Sequence, residues 1–233
     1  MISWIVPARG RVEMTRATME SIHGLASCQE NVESIWRWDN DDPELESLKN
    51  LASEMCDKGY NVRYKVGGRL NGYASLHTMV NECCSLAKGD YIGTFGNDAR
   101  ILTKDWDLLY KEFDPNKHAV IQIKKNGKNG MATQFPVMTR RFYESMGGYS
   151  RHASIDDYPT FVAIMARCHY YCDVEVDHDH YEGDYIYTDR VGTDKKIQND
   201  FWGEGNQMMI VSDVKNMCAE IGLDELKKFY NWK

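Results

Sequence analysis

Within the first hundred residues, short apolar runs alternate with helix-like stretches, and this alternation constrains the fold most. Residues 2–6, 32–38, 61–66 and 91–95 read as strands, each leaving through Gly, Pro, Asp or Asn. Residues 14–25, 44–56 and 74–87 read as helices; in the second, Leu45, Leu48, Leu51 and Met55 fall on one face at helical spacing. Strand–helix alternation of this kind implies an α/β fold, a mostly parallel sheet with right-handed crossovers and flanking helices. Such sheets place ligands at the carboxyl ends of their strands.

Three polar clusters sit at those ends. The first is Pro7-Ala8-Arg9-Gly10-Arg11, whose arginines suit phosphate or a base; the alternative is a solvated loop before a helix. The second is Asp39-Asn40-Asp41-Asp42-Pro43, where crowded carboxylates repel unless a cation or donor-rich ligand meets them; the alternative is an acidic helix cap. The third is Asn97-Asp98, which ends the run Gly89-Asp90-Tyr91-Ile92-Gly93-Thr94-Phe95-Gly96. A carboxylate there suits a divalent cation carrying phosphate.

After residue 100 the pattern loosens. Residues 106–113, 139–146 and 156–167 read as helices, and 119–124, 133–138 and 170–176 as strands. Residues 177–205 read as a polar flap and 213–230 as a last helix. We expect one domain over 1–233: a nucleotide-binding half to residue 100, an acceptor-side half over 101–212, and a helical stretch from 213.

Bulk properties exclude some classes. With a net charge of −7, a general nucleic-acid-binding surface is disfavoured. No apolar run nears the ~20 residues of a membrane span, and Ile2 to Val6 is too short for the apolar part of a signal peptide, so neither is expected. The seven cysteines show no recurring C-x-x-C pairing and read as reduced thiols, so a cytoplasmic location is expected. No G-x-G-x-x-G follows the first strand, and neither a P-loop nor a nucleophile elbow is present.

The ordered set Ile5 to Arg11, Asp39 to Pro43, Gly89 to Asp98 and Trp106-Asp107 resembles the family-two glycosyltransferases of GT-A fold, in particular short soluble bacterial and phage versions. The resemblance is good over residues 2–110 and looser through 142–148, Asp156-Asp157 and His178-Asp179-His180. It implies a nucleotide-diphosphate-sugar transferase, UDP-sugars being the commoner donors, assisted by Mn2+ or Mg2+ and acting on an unknown glycan, protein or small-molecule acceptor. By the same resemblance Pro7, Arg9 and Arg11 form the first nucleotide loop. Asp39 accepts from the base, Asp41 lies near the ribose, and Arg69 near the nucleotide or its phosphates. Asp98 is the terminal carboxylate of the metal tip. Gly96 or Asn97 stands where the family usually has another Asp, and an amide coordinates a cation more weakly.

In inverting relatives a carboxylate opening a later helix deprotonates the acceptor. Asp156 and Asp157 hold that place, with Asp157 the better match; the alternative is that Ser154 or Asp156 caps the helix. His178 and His180 share a face if extended. Similar enzymes supply a late His to the metal, so one of the pair is the candidate third ligand; the alternative is a solvent-exposed strand end. Two rival readings are a nucleotidyltransferase and a non-catalytic module binding a nucleotide or glycan.

Overall fold

The computed structural model describes residues 1–125, 134–178 and 204–221. Eight strands form one sheet in the order β3-β2-β1-β4-β7-β6-β8-β5. Strands β1 (Ile2–Pro7), β2 (Val32–Asp39), β3 (Val62–Gly67) and β4 (Tyr91–Thr94) are mutually parallel. Helices α1 (Val12–Gly24), α2 (Leu45–Asp57) and α3 (Leu76–Cys84) connect them. The chain builds from β1 out to β3, then returns to lay β4 on the other side of β1. That reversal opens a crevice at the carboxyl ends of β1 and β4.

The second half adds β5 (Ala99–Ile101), β6 (Val120–Lys125), β7 (Val137–Thr139) and β8 (His169–His178). Strand β7 runs antiparallel to β4 and β6, β6 parallel to β8, and β5 antiparallel to β8. The remaining helices are α4 (Trp106–Leu109), α5 (Arg140–Met146), α6 (Asp157–Met165) and α7 (Glu204–Ile221).

Both faces of the central strands are buried, which is why they read as continuous apolar runs. Trp4, Val6, Trp36 and Trp38 point to one face, where Met19, Ile22, Leu48 and Met55 of α1 and α2 cover them. Ile5, Ile35 and Ile92 point to the other, under Val80, Phe142, Tyr158, Val162 and Val214. The alternation along β1 and β2 is the period-two geometry of a strand.

The structure revises several element bounds. The helix expected over 74–87 begins as a 3-10 turn, Gly72–Ser75, before α3. Strand β5 is an addition to the expected elements; three residues are too few to show a period. The last helix starts at Glu204 rather than 213, because Ile210, Val214 and Met217 already form a buried stripe at helical spacing. The expected flap shrinks accordingly: 177–178 belong to β8, 204–205 to α7, and the rest lies outside the described residues, as does 222–230.

Candidate active site

The loop after β1 is shaped by its backbone. Gly10 and Arg11 both take left-handed conformations, with φ of 58° and 59°. The left-handed φ at Gly10 favours glycine, and a Cβ there would press on the Glu44 carboxylate at 2.8 Å. The Gly10 N–H donates to Asp42 Oδ2 at 2.6 Å, and the Arg11 N–H to Glu44 Oε2 at 2.7 Å. The arginine loop is thus latched to the acidic loop after β2.

Arginines also answer the repulsion within that acidic loop. Arg9 Nη1 donates to Asp39 Oδ2 at 3.1 Å and to Asp41 Oδ1 at 2.6 Å. Arg69 Nη1 lies 3.6 Å from Asp41 Oδ2. The Arg9 hydrogen bond holds the Asp41 carboxyl below its ordinary range, and Asp41 in turn raises Arg9. Beneath them Arg37, with a side chain only 1 % exposed, donates to Asp39 Oδ1 at 3.1 Å. It also donates to Glu82 of α3 at 2.9 Å and to the Gly68 carbonyl at 2.7 Å.

The tip after β4 is held from α1. The Thr18 hydroxyl lies 3.0 Å from the Asn97 carbonyl and 2.9 Å from that of Ala99, and Ser21 Oγ accepts from the Ile101 N–H at 3.2 Å. Asp98 Oδ1 is 3.2 Å from His178 Nε2, and Asp98 Oδ2 is 3.7 Å from Arg11 Nη1. Burial pushes the Asp98 carboxyl up, but the His178 hydrogen bond and charge, with Arg11, outweigh it and hold it below its usual value. Asn97 is buried, and its Nδ2 has no partner among the described residues.

The pair Asp98–His178 fits a divalent cation. His178 Nδ1 sits 3.1 Å from Gln134 Oε1. The tautomer decides whether Nε2 donates to Asp98, as in the ion-free pair, or presents its lone pair to a cation. Adjacent ligands on an octahedral ion with bonds of about 2.1 Å lie about 3.0 Å apart. One imidazole and one carboxylate suit an ion that completes its shell with water and diphosphate oxygens. Among the described residues no cluster of three metal-binding side chains occurs. His180 lies outside the described residues.

Asp156 and Asp157 open α6. Asp156 stands at the N-cap position and makes no side-chain capping hydrogen bond to that helix. The segment leading to it is pinned to the crevice: Tyr149 Oη lies 3.1 Å from Thr94 Oγ1 at the end of β4 and donates to the Pro136 carbonyl at 2.5 Å. Asp157 is half-buried, and burial pushes its carboxyl up.

The structure therefore gathers Arg9, Asp39, Asp41 and Arg69 into one group and Arg11, Asp98 and His178 into another. Pro7 and the loop 8–11 bridge the two. The residues that set their orientation escaped sequence reasoning: Arg37, Glu82, Thr18 and Gln134. Of these, only Arg37 carries a signal, a charge between two tryptophans in a strand expected to be buried on both faces.

The family model for "Glycosyl transferase family 2" matches residues 3–175. This chain belongs to glycosyltransferase family 2. No curated protein matches this family-2 chain in sequence. Among solved structures it is similar to the mannosyltransferase PcManGT from Pyrobaculum calidifontis in complex with GDP-Man and Mn2+. The TM-score is 0.66 at 12 % identity, over 98 % of this chain and 77 % of that one. It is also similar to S. aureus TarS 1-349 in complex with UDP-GlcNAc, with TM-score 0.58 and 12 % identity over 100 % of this chain and 76 % of that one. Against another S. aureus TarS structure the TM-score is 0.57 at 11 % identity, and this chain spans 46 % of that one. These likenesses show the GT-A fold.

Proposed function

We propose that this family-2 glycosyltransferase moves a sugar from a nucleoside-diphosphate donor, UDP-linked by preference, to an acceptor hydroxyl with inversion. One observation supports the reading: the loop 9–11 contacts both carboxylates, Arg9 reaching Asp39 and Arg11 reaching Asp98. Asp39 and Asp41, held by Arg37 and Arg9, accept N–H and O–H groups of the nucleoside. Arg9, Arg11 and Arg69 face the diphosphate. Asn97 offers its amide hydrogens to a donor oxygen.

Asp98 and His178 would hold a Mn2+ or Mg2+ ion, which neutralises charge on the departing diphosphate. Asp157 takes the proton of the acceptor hydroxyl as that oxygen bonds to the anomeric carbon and the carbon–phosphate oxygen bond breaks. A carboxyl raised by burial is the better base for that task, because it is the stronger proton acceptor. Asp156 beside it carries the neighbouring charge.

The relatives' ligands supply the probes. GDP-Man and UDP-GlcNAc appear in the similar structures. Thermal shift with UDP, GDP and these two donors, with and without Mn2+, names the base, since binding raises the melting temperature by mass action. Release of nucleoside diphosphate is then compared between the native chain and Asp98→Ala. Turnover in the native protein that is lost in the variant supports the reading. A stabilising nucleotide without turnover of either donor would favour the non-catalytic module.

Among the described residues no helix is long and apolar enough to cross a membrane. The described cysteines, Cys28, Cys56, Cys83, Cys84, Cys168 and Cys172, are free thiols. Together these support a cytoplasmic enzyme, which is part of the proposal.

A further inference from the structure

Helix α7 lies wholly beyond residue 175, where the family match ends. It nevertheless packs against α5 and α6 and sends a carboxylate into the interface. The Asp213 side chain is 0 % exposed. Its Oδ2 accepts the Tyr158 hydroxyl at 2.7 Å, and its Oδ1 forms an ion pair with Arg151 Nη2 at 3.0 Å that lacks hydrogen-bond geometry. Tyr158 follows Asp157 directly, and Arg151 lies in the segment that leads into Asp156. One buried group thus grips both flanks of the Asp156-Asp157 pair.

The arrangement is expensive as a mere packing device. Burial pushes the Asp213 carboxyl up, against the pull of Tyr158 and Arg151. An apolar residue at 213 facing a phenylalanine at 158 would dock the two helices without desolvating a charge. Buried ionic groups are best attested where they fix a register. Here the register is that of α6 against the crevice. The family-matched part of the chain supplies two further restraints on the same segment. Asn81 of α3 accepts from the Tyr149 N–H and donates to the Ser150 carbonyl, each at 2.7 Å. Tyr149 itself reaches Thr94. These fix residues 149–150; Ser150 in turn holds His152 and Arg151 donates to the Met146 carbonyl of α5, and α7 adds a restraint on Arg151 and Tyr158 through Asp213.

We propose that Asp213 is a positioning residue for glycosyl transfer: by holding Tyr158 and Arg151 it sets the direction of the Asp157 carboxylate toward the acceptor. This rests on Asp157 being the base. It makes α7 a working part of the acceptor side rather than an appendage.

The test uses the full chain and the variants Asp213→Ala, Tyr158→Phe and Asp157→Asn. Amide hydrogen exchange is followed by mass spectrometry, and nucleoside-diphosphate release from UDP-GlcNAc and GDP-Man is measured with water in the acceptor's place. Asp213→Ala is expected to speed exchange across 151–158 and leave β1 to β4 protected. It lowers kcat by about tenfold or more, the scale of a sub-ångström to ångström misplacement, with KM for the donor within about twofold. Tyr158→Phe removes one hydroxyl and keeps the fold, so it gives the same pattern at smaller size even if Asp213→Ala fails to fold. Unchanged exchange over 151–158 overturns the inference without any need for turnover. An unchanged kcat beside an inactive Asp157→Asn overturns it while leaving the base intact. Native turnover in Asp157→Asn removes the base, and this inference with it.

Discussion

Arg37 lies under Asp39, two residues along the same face of β2, with Nη1 3.1 Å from Oδ1. The carboxylate is therefore oriented from inside the protein before any ligand arrives. Arg37 is itself held by Glu82 and by the Trp38 and Gly68 carbonyls. Its guanidinium lies close against Gly67 at the end of β3. Preorganisation of this kind lowers the ordering that binding must otherwise impose.

Gly67→Ala tests that arrangement. The added Cβ would meet Arg37 Nη2 at 2.6 Å and Cζ at 2.8 Å, and the buried guanidinium has no room to retreat. We expect a loss of about 1–3 kcal/mol in urea unfolding, the usual scale of overpacking. Calorimetry should show weaker binding of the preferred nucleoside diphosphate, because Asp39 turns with Arg37. Gly68→Ala is the control: among the described residues nothing lies within 4 Å of a Cβ at that position, and both quantities should match the native chain. Equal nucleotide affinity in both variants would show that Arg37 does not set Asp39.

Thr18→Val tests the clamp on the tip. It removes the hydroxyl that lies within hydrogen-bond distance of the Asn97 and Ala99 carbonyls while keeping the side chain's shape. Loss of a buried donor leaves its acceptors unsatisfied, at about 1–3 kcal/mol. The loosened tip should weaken Mn2+-dependent stabilisation by nucleoside diphosphate and spare whatever binding occurs without the ion. Thermal shift with and without Mn2+ separates the two. An undiminished Mn2+ effect would show that α1 does not position Asp98.

Much of this site was legible in the sequence because strand exits are marked twice, by the end of an apolar run and by the polar residues that follow. Asp39, Asp98 and the arginine loop all sit at such exits. The antiparallel side was less legible. Strands β5 and β7 have three residues each, too short for alternation to show. Arg37 was hidden for another reason. A charge in a strand reads as a solvent-facing position, and its burial depends on Glu82, 45 residues away on a helix. Asp213 is the extreme case, since its partners become neighbours only once α6 and α7 have packed.

His23 should make stability fall in mild acid. Its ring is buried, stacked on Tyr60 with centroids 5.0 Å apart, and Nε2 meets Ser34 Oγ at 2.9 Å. Burial drags its pKa from 6.5 to about 4. Between those values the unfolded chain binds a proton that the native chain does not, so stability is full above 6.5 and drains away as pH falls toward 4. At 1.36 kcal/mol per unit the contribution is about 3 kcal/mol. Urea unfolding from pH 7 to 4.5 should show this slope, and His23→Gln should flatten it. A slope that survives the substitution would place the effect on other groups.

Asp157→Asn sets two readings of the same residue against each other by the sign of one number. If Asp157 only favours the first turn of α6 through the helix dipole, neutralising it lowers stability. If it is a half-buried base, its ionised form is penalised by burial, and the neutral amide is the more stable occupant. We expect the second. The sign with pH follows from a native pKa raised above the ordinary 3.8. Below 3.8 both proteins carry a neutral group and should melt alike; as pH rises through the native pKa the wild-type chain loses stability relative to the variant. At neutral pH the variant should melt higher than the wild-type chain. Transfer should fall by about 10²–10⁴-fold, the scale of general-base catalysis. A residue whose removal stabilises the fold while stopping the reaction is placed there by chemistry and not by folding. Calorimetric melts across pH 3–7 beside donor-turnover rates decide it, and a variant that is less stable yet fully active would return Asp157 to the helix.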